Sequence, residues 1–77
     1  MIIDPDSPVH PYLQLAAQLR DQISDGKITG PLPSLTALES RTGLSKGTVQ
    51  RAINVLVDEG LVFKVRGRGV FVRKEQG

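Results

Sequence analysis

The chain has no cysteine, which excludes disulfides, thiolate nucleophiles and thiolate zinc sites together and suits a reducing compartment. It has a single histidine, His10, set among prolines near the N-terminus. The early aspartates Asp4, Asp6, Asp21 and Asp25 fall on different segments, without a spacing that would support general acid–base work. No apolar run approaches the ~20 residues of a membrane span. The opening MIIDPDSP lacks the basic flank and apolar stretch of a signal peptide. Length is short as well. With 77 residues there is room for one domain, and domains this small bury only about 60% of the surface their unfolded chain exposes. A roofed active site is hard to fit. The expectation is a cytoplasmic protein that is not an enzyme and uses no metal or cofactor.

The charge that is present is unevenly spread. The net value is +2. Residues 1–33 carry Arg20 and Lys27 against the four aspartates, a balance of −2, whereas residues 34–77 carry eight basic against four acidic groups, a balance of +4. A positive half on a small domain points to a polyanionic partner.

Hydrophobic spacing divides the chain. Residues 1–10, rich in Pro and Asp, read as an extended N-terminal arm. Pro11 suits the first turn of a helix, where its missing N–H is no loss. Tyr12, Leu15, Ala16, Leu19 and Ile23 then form one stripe at helical spacing, closed by Asp25-Gly26. The two prolines in Thr29–Pro33 make a linker. Ser34 is a good N-cap for a short helix from Leu35 to Thr42 that buries Leu35 and Leu38. Gly43 breaks it, Leu44 plugs the turn, and Ser45 caps a third helix from Lys46 to Glu59 with Val49, Ala52, Ile53 and Leu56 inward. Two helices joined through a Gly-containing turn are the signature of a helix-turn-helix. After Gly60 the pattern becomes strand-like: Leu61–Val65 and Val70–Val72 flank Arg66-Gly67-Arg68-Gly69, four residues able to turn a hairpin. The expected fold is mainly α with a small β-hairpin: a winged helix-turn-helix of three helices plus a two-stranded wing. Its limits are 11–74, with an arm at 1–10 and a tail at 75–77.

The candidate chemistry lies on the third helix and the hairpin tip. Opposite the apolar side stand Lys46, Gly47, Gln50, Arg51, Asn54 and Asp58. Lys, Arg, Gln and Asn are the side chains that hydrogen-bond base edges in a major groove, and the N-terminal half of a recognition helix is the part that meets bases. Ser45 and Thr48 are placed to reach phosphate at that terminus. The paired Arg66 and Arg68, interleaved with Gly67 and Gly69, fit contact with phosphates or the minor groove. A solvated helix face and a solubilising turn are the ordinary alternatives.

The residues also resemble the N-terminal domain of GntR-type transcription repressors. Pro11-Tyr12, Gln14-Leu15-Ala16, Leu19-Arg20, Ile23, Leu32-Pro33-Ser34, Leu44-Ser45-Lys46, Thr48-Val49, Ala52-Ile53, Asp58-Glu59-Gly60-Leu61 and Arg66–Val72 carry the likeness. The resemblance implies a bacterial regulator that binds a palindromic operator in double-stranded DNA as a homodimer. By position it assigns DNA contact to Thr36, Ser45, Lys46, Gly47, Thr48, Gln50, Arg66, Gly67 and Arg68. Three departures stand out. Leu35-Thr36 replaces the family's usual Glu-Arg, Lys46 and Gln50 stand where two arginines are usual, and the linker after Gly26 is shorter. The family's usual larger C-terminal domain, which binds a metabolite effector, does not appear in these residues, so the effector stays unknown.

Two other functions are compatible with a small winged helix: a protein–protein adaptor, and a DNA- or RNA-binding module without sequence preference. The cationic wing and the polar face of the third helix disfavour the adaptor. The first-helix stripe is consumed in the core, leaving Leu13 and Val55 as off-face apolar residues. The isolated chain is therefore expected to be monomeric and to pair on DNA.

Overall fold

The computed structural model describes residues 2–73; the expected tail at 75–77 lies outside the described residues. Helix α1 runs Pro11–Ser24, α2 Leu35–Thr42 and α3 Lys46–Asp58, followed by strands β1, Val62–Val65, and β2, Gly69–Val72. The helices begin and end where local chemistry satisfies their free backbone groups. Pro occupies the first turn of α1. Ser34 and Ser45 are extended N-caps whose hydroxyls accept from Ala37 N (3.1 Å) and Thr48 N (3.3 Å). At the end of α3, Gly60 N donates to Val57 O and Leu61 N to Leu56 O, the paired bonds of a Schellman cap. Leu61 is thereby spent closing the helix, and β1 starts one residue later than its composition suggests.

The core is a single cluster. Leu15, Ala16 and Leu19 of α1 meet Leu38 of α2, Val49, Ala52, Ile53 and Leu56 of α3, and Val62 of β1, all buried. Helix α1 packs most extensively on α3, and α2 packs on α3 as well. Tyr12 and Ile23, at the ends of the α1 stripe, are half-buried against this cluster. Leu35 departs from expectation. It is only half-buried, lining a surface groove beside the hairpin.

Strands β1 and β2 pair antiparallel with Val62 opposite Val72 and Val65 opposite Gly69. The loop is therefore Arg66-Gly67-Arg68, one residue shorter than the sequence suggests. Arg68 N donates to Val65 O at 3.0 Å. Gly67 has φ 76°, the positive value demanded at the third position of a type II turn.

Two features depart from the sequence reading. The linker is tied to the wing by an isolated antiparallel bridge: Leu32 N donates to Val70 O (2.8 Å) and Val72 N to Gly30 O (3.0 Å), bridging Pro31 to Phe71. Proline is tolerated there because Gly30 and Leu32, rather than Pro31, supply the bridging groups, as an edge position permits. The bridge carries Leu32 into the core, where it is buried. The N-terminal arm is not extended either. It turns through residues 4–9 and lies on α1, because the Gln14 amide accepts from Asp4 N and donates to Asp4 O and Val9 O, while Gln18 Nε2 donates to Ile2 O.

Candidate nucleic-acid interface

Three elements converge on one groove of about 600 Å³. Ser34 and Leu35 at the start of α2 form one wall, Gln50 and Ile53 of α3 line it, and the hairpin from Lys64 to Val70 closes the other side. The lining includes the cations Lys64, Arg66 and Arg68 and no carboxylate. Like charges gathered with no counter-ion raise the local positive potential and attract an anionic polymer. A larger hollow, about 710 Å³, lies between the end of α1 and the end of β2. Of its two cations, Arg20 is already paired with Glu59 at 2.7 Å and Arg73 Nε donates to Gly60 O at 3.1 Å, so it gathers fewer free cations than the hairpin groove.

The nominated residues fall into two sets. Gln50, Arg66, Gly67 and Arg68 line the groove. Lys46 is exposed one helical turn before Gln50, and Asn54 is exposed one turn after it, so all three share a helix face. Thr36 is exposed in the first turn of α2, next to Leu35. Thr48 and Arg51 instead line a smaller hollow with His10, Pro11, Tyr12 and Leu44 at the start of α1.

Local bonding shows what each side chain has free. The Ser45 hydroxyl is engaged, capping Thr48 N and lying 2.9 Å from Thr48 Oγ1. The first N–H groups of α3, at Lys46 and Gly47, have no intrahelical partner by geometry. Gly47 is exposed, with nothing within 4 Å of where a Cβ would stand, so the backbone there is open to close approach. The Arg51 guanidinium lies over the Tyr12 ring, 4.3 Å from its centroid, an arrangement that holds the cation in place through the ring quadrupole. Gln50 Nε2 donates to Asn54 Oδ1 at 3.2 Å, and Lys64 Nζ donates to the same oxygen at 2.7 Å. Arg66 and Arg68 make no ion pair among the described residues.

Sequence reasoning missed Lys64. The available signal was strand alternation: Val62 is buried and Lys64 exposed, but which helix lies beside an exposed strand residue is decided only by the chain's return. It also missed Tyr12 as the platform for Arg51.

A helix-turn-helix carrying a hairpin whose tip and flank are cationic defines a winged helix module. Similarity to known proteins narrows that class to one family. The model for the bacterial regulatory proteins of the gntR family matches residues 11–72, and the chain belongs to that family. It is 41% identical over 76 residues to the HTH-type transcriptional repressor NagR of Bacillus subtilis, covering 96% of this chain and 31% of NagR. Among solved structures, it superposes on the DNA-binding domain of AraR in complex with operator ORE1 with a TM-score of 0.85 at 28% identity, covering 95% of this chain and 98% of that one. YtrA of Sulfolobus acidocaldarius, a GntR-family transcription factor, gives a TM-score of 0.84 at 37% identity, covering 95% of this chain and 79% of YtrA. The chain spans less than a third of the length of the curated relatives it matches, 31% of NagR and 17% of a pyridoxine-biosynthesis regulator of Corynebacterium glutamicum. Among the described residues, no helix is long and apolar enough to cross a membrane.

Proposed function

We propose that this chain binds a palindromic operator in double-stranded DNA as the reading module of a cytoplasmic transcriptional repressor, with no catalytic activity and no cofactor of its own. The observation that carries the proposal is the acid-free groove in which Gln50 of α3 stands beside Lys64, Arg66 and Arg68 of the hairpin. Helix α3 enters the major groove, where the Gln50 amide reads adenine and Lys46 reads guanine or a neighbouring phosphate. Thr36, Ser45, Gly47 and Thr48 meet the backbone, with Arg51 held toward it by Tyr12. Arg66, Gly67 and Arg68 follow the phosphates or enter the minor groove. Two copies bind half-sites about one helical turn, ~34 Å, apart.

Selection of bound duplexes from a random-sequence pool tests this directly. A palindromic consensus is expected. Gln50→Ala is expected to cost about 1–3 kcal/mol on the selected site and to relax one position per half-site. A pool with no enriched sequence, bound in a salt-dependent way, identifies a sequence-indifferent binder. No retention of DNA at low salt leaves the protein–protein adaptor.

A further inference from the structure

The polar face of α3 is tied to the wing by three side chains that meet on one atom. Asn54 Oδ1 receives both Lys64 Nζ at 2.7 Å and Gln50 Nε2 at 3.2 Å. We propose that Asn54 is a positioning residue, held by Lys64 of β1, that fixes which way the Gln50 amide faces and so sets its preference for adenine over guanine. The proposal rests on Gln50 reading a base.

The logic is one of donors and acceptors. A lysine ammonium has three donors and no acceptor, so the amide atom of Asn54 that faces it is the oxygen. That oxygen in turn requires a donor from Gln50, so Nε2 faces inward along the helix. Gln50 retains one N–H and Oε1 for a base edge. Adenine offers an acceptor at N7 and a donor at N6, matching that pair, whereas guanine offers two acceptors, N7 and O6. An Oε1 held toward guanine O6 places two acceptors face to face. Freed from Asn54, the amide can rotate about its last torsion, which is broad for a glutamine, and turn its NH₂ toward guanine. A strand residue thereby acts on base choice without touching the base, and the wing and the reading helix are coupled through a polar contact that no apolar packing would supply.

The arrangement is exposed, since Lys64 and Asn54 both face solvent, so its variants fold. The test measures affinity for the selected duplex and for the same duplex with guanine in place of adenine at the position relaxed by Gln50→Ala. Asn54→Ala and Lys64→Met are each expected to lower the adenine-over-guanine ratio by about five- to tenfold, the lower end of what one bidentate base contact discriminates. Asn54→Ala should leave the slope of log affinity against log salt unchanged, because it removes no charge. Lys64→Arg and Asn54→Asp keep a donor facing an oxygen and should retain the ratio. An unchanged ratio in Asn54→Ala or Lys64→Met overturns the positioning role while leaving Gln50 as a reader. A changed base preference in Asn54→Asp shows instead that Asn54 reads a base itself. If Gln50→Ala relaxes no position, the base-reading role fails first, and the positioning role falls with it.

Discussion

Gly43 stands at the corner of the helix-turn-helix with φ 75°, and its N–H closes α2 by donating to Glu39 O at 2.8 Å. An added Cβ would meet nothing within 4 Å, so any cost of substitution is conformational rather than steric against neighbours. Gly43→Ala is expected to destabilise the fold by about 1–2 kcal/mol, the cost of a left-handed backbone for an L-residue. Gly43→Asn should cost less, because asparagine visits that region more readily. Chemical denaturation of both variants checks this, and equal losses would argue against a backbone origin. Ser45 serves two purposes. Its hydroxyl caps α3 and holds Thr48, leaving backbone N–H groups as the open donors at that terminus. The role in the cap was legible from Ser followed by a helical pattern; the bond to Thr48 Oγ1 was not, because it depends on rotamers.

Between elements, one ion pair links α1 to the residue that ends α3. Arg20 Nε and the second guanidinium nitrogen donate to the two Glu59 oxygens at 2.9 and 2.7 Å. The hydrogen bond from Arg20 holds the Glu59 carboxyl below its ordinary range, against a smaller opposing effect of desolvation. A lowered carboxylate contributes stability that is present at neutral pH and is lost as pH falls through the ordinary glutamate value of about 4.3 and below. Both side chains are more than a third exposed, so the pair is worth only about 0.2–1 kcal/mol. Glu59→Gln should lower the Tm slightly at pH 7, and the difference from the parent should disappear in acid or in high salt. A gap that persists in acid far enough below the ordinary glutamate range for the lowered carboxylate to be protonated would contradict an electrostatic origin.

The tip of the wing is where substitution should matter to binding and not to folding, since Val62 at the base of the hairpin is part of the core. The tip residues Arg66 and Arg68 are exposed and make no ion pair among the described residues. Replacing both with Ala is expected to weaken binding to all duplexes. The slope of log affinity against log salt should fall by about 0.9 for each phosphate that is no longer neutralised. Thermal melting of the double variant should match the parent. An unchanged salt slope would remove the wing from the interface.

At the scale of the molecule, the question is how two modules come together. The exposed large apolar residues, Ile2, Val9, Leu13 and Phe63, are scattered over the arm, α1 and β1. Val55, expected to be free, packs partly against the core. Each full burial is worth ~1.5–3 kcal/mol, whereas association must first overcome about 4–15 kcal/mol of lost freedom. This 77-residue chain is therefore expected to sediment as a monomer at tens of micromolar and as a pair of copies on a palindromic duplex. A stable dimer without DNA would contradict that expectation.

The sequence by itself determined the order of elements, most of the core and the chemistry of the nominated face. Those rest on short-range rules: a helical stripe from Tyr12 to Ile23, caps at Ser34 and Ser45, a shift to strand composition after Gly60, and arginines alternating with glycines. Only the tertiary structure decided the rest. The bridge at Pro31 exists because β2 returns beside it, and nothing within Thr29–Pro33 announces that partner. The arm turns back because Gln14 lies within reach of Asp4 and Val9. Arg51 is held by Tyr12, far from it along the chain. Lys64 meets Asn54 only once the hairpin has folded against α3. Periodicity records which face of an element is buried; it carries no record of which element will lie opposite.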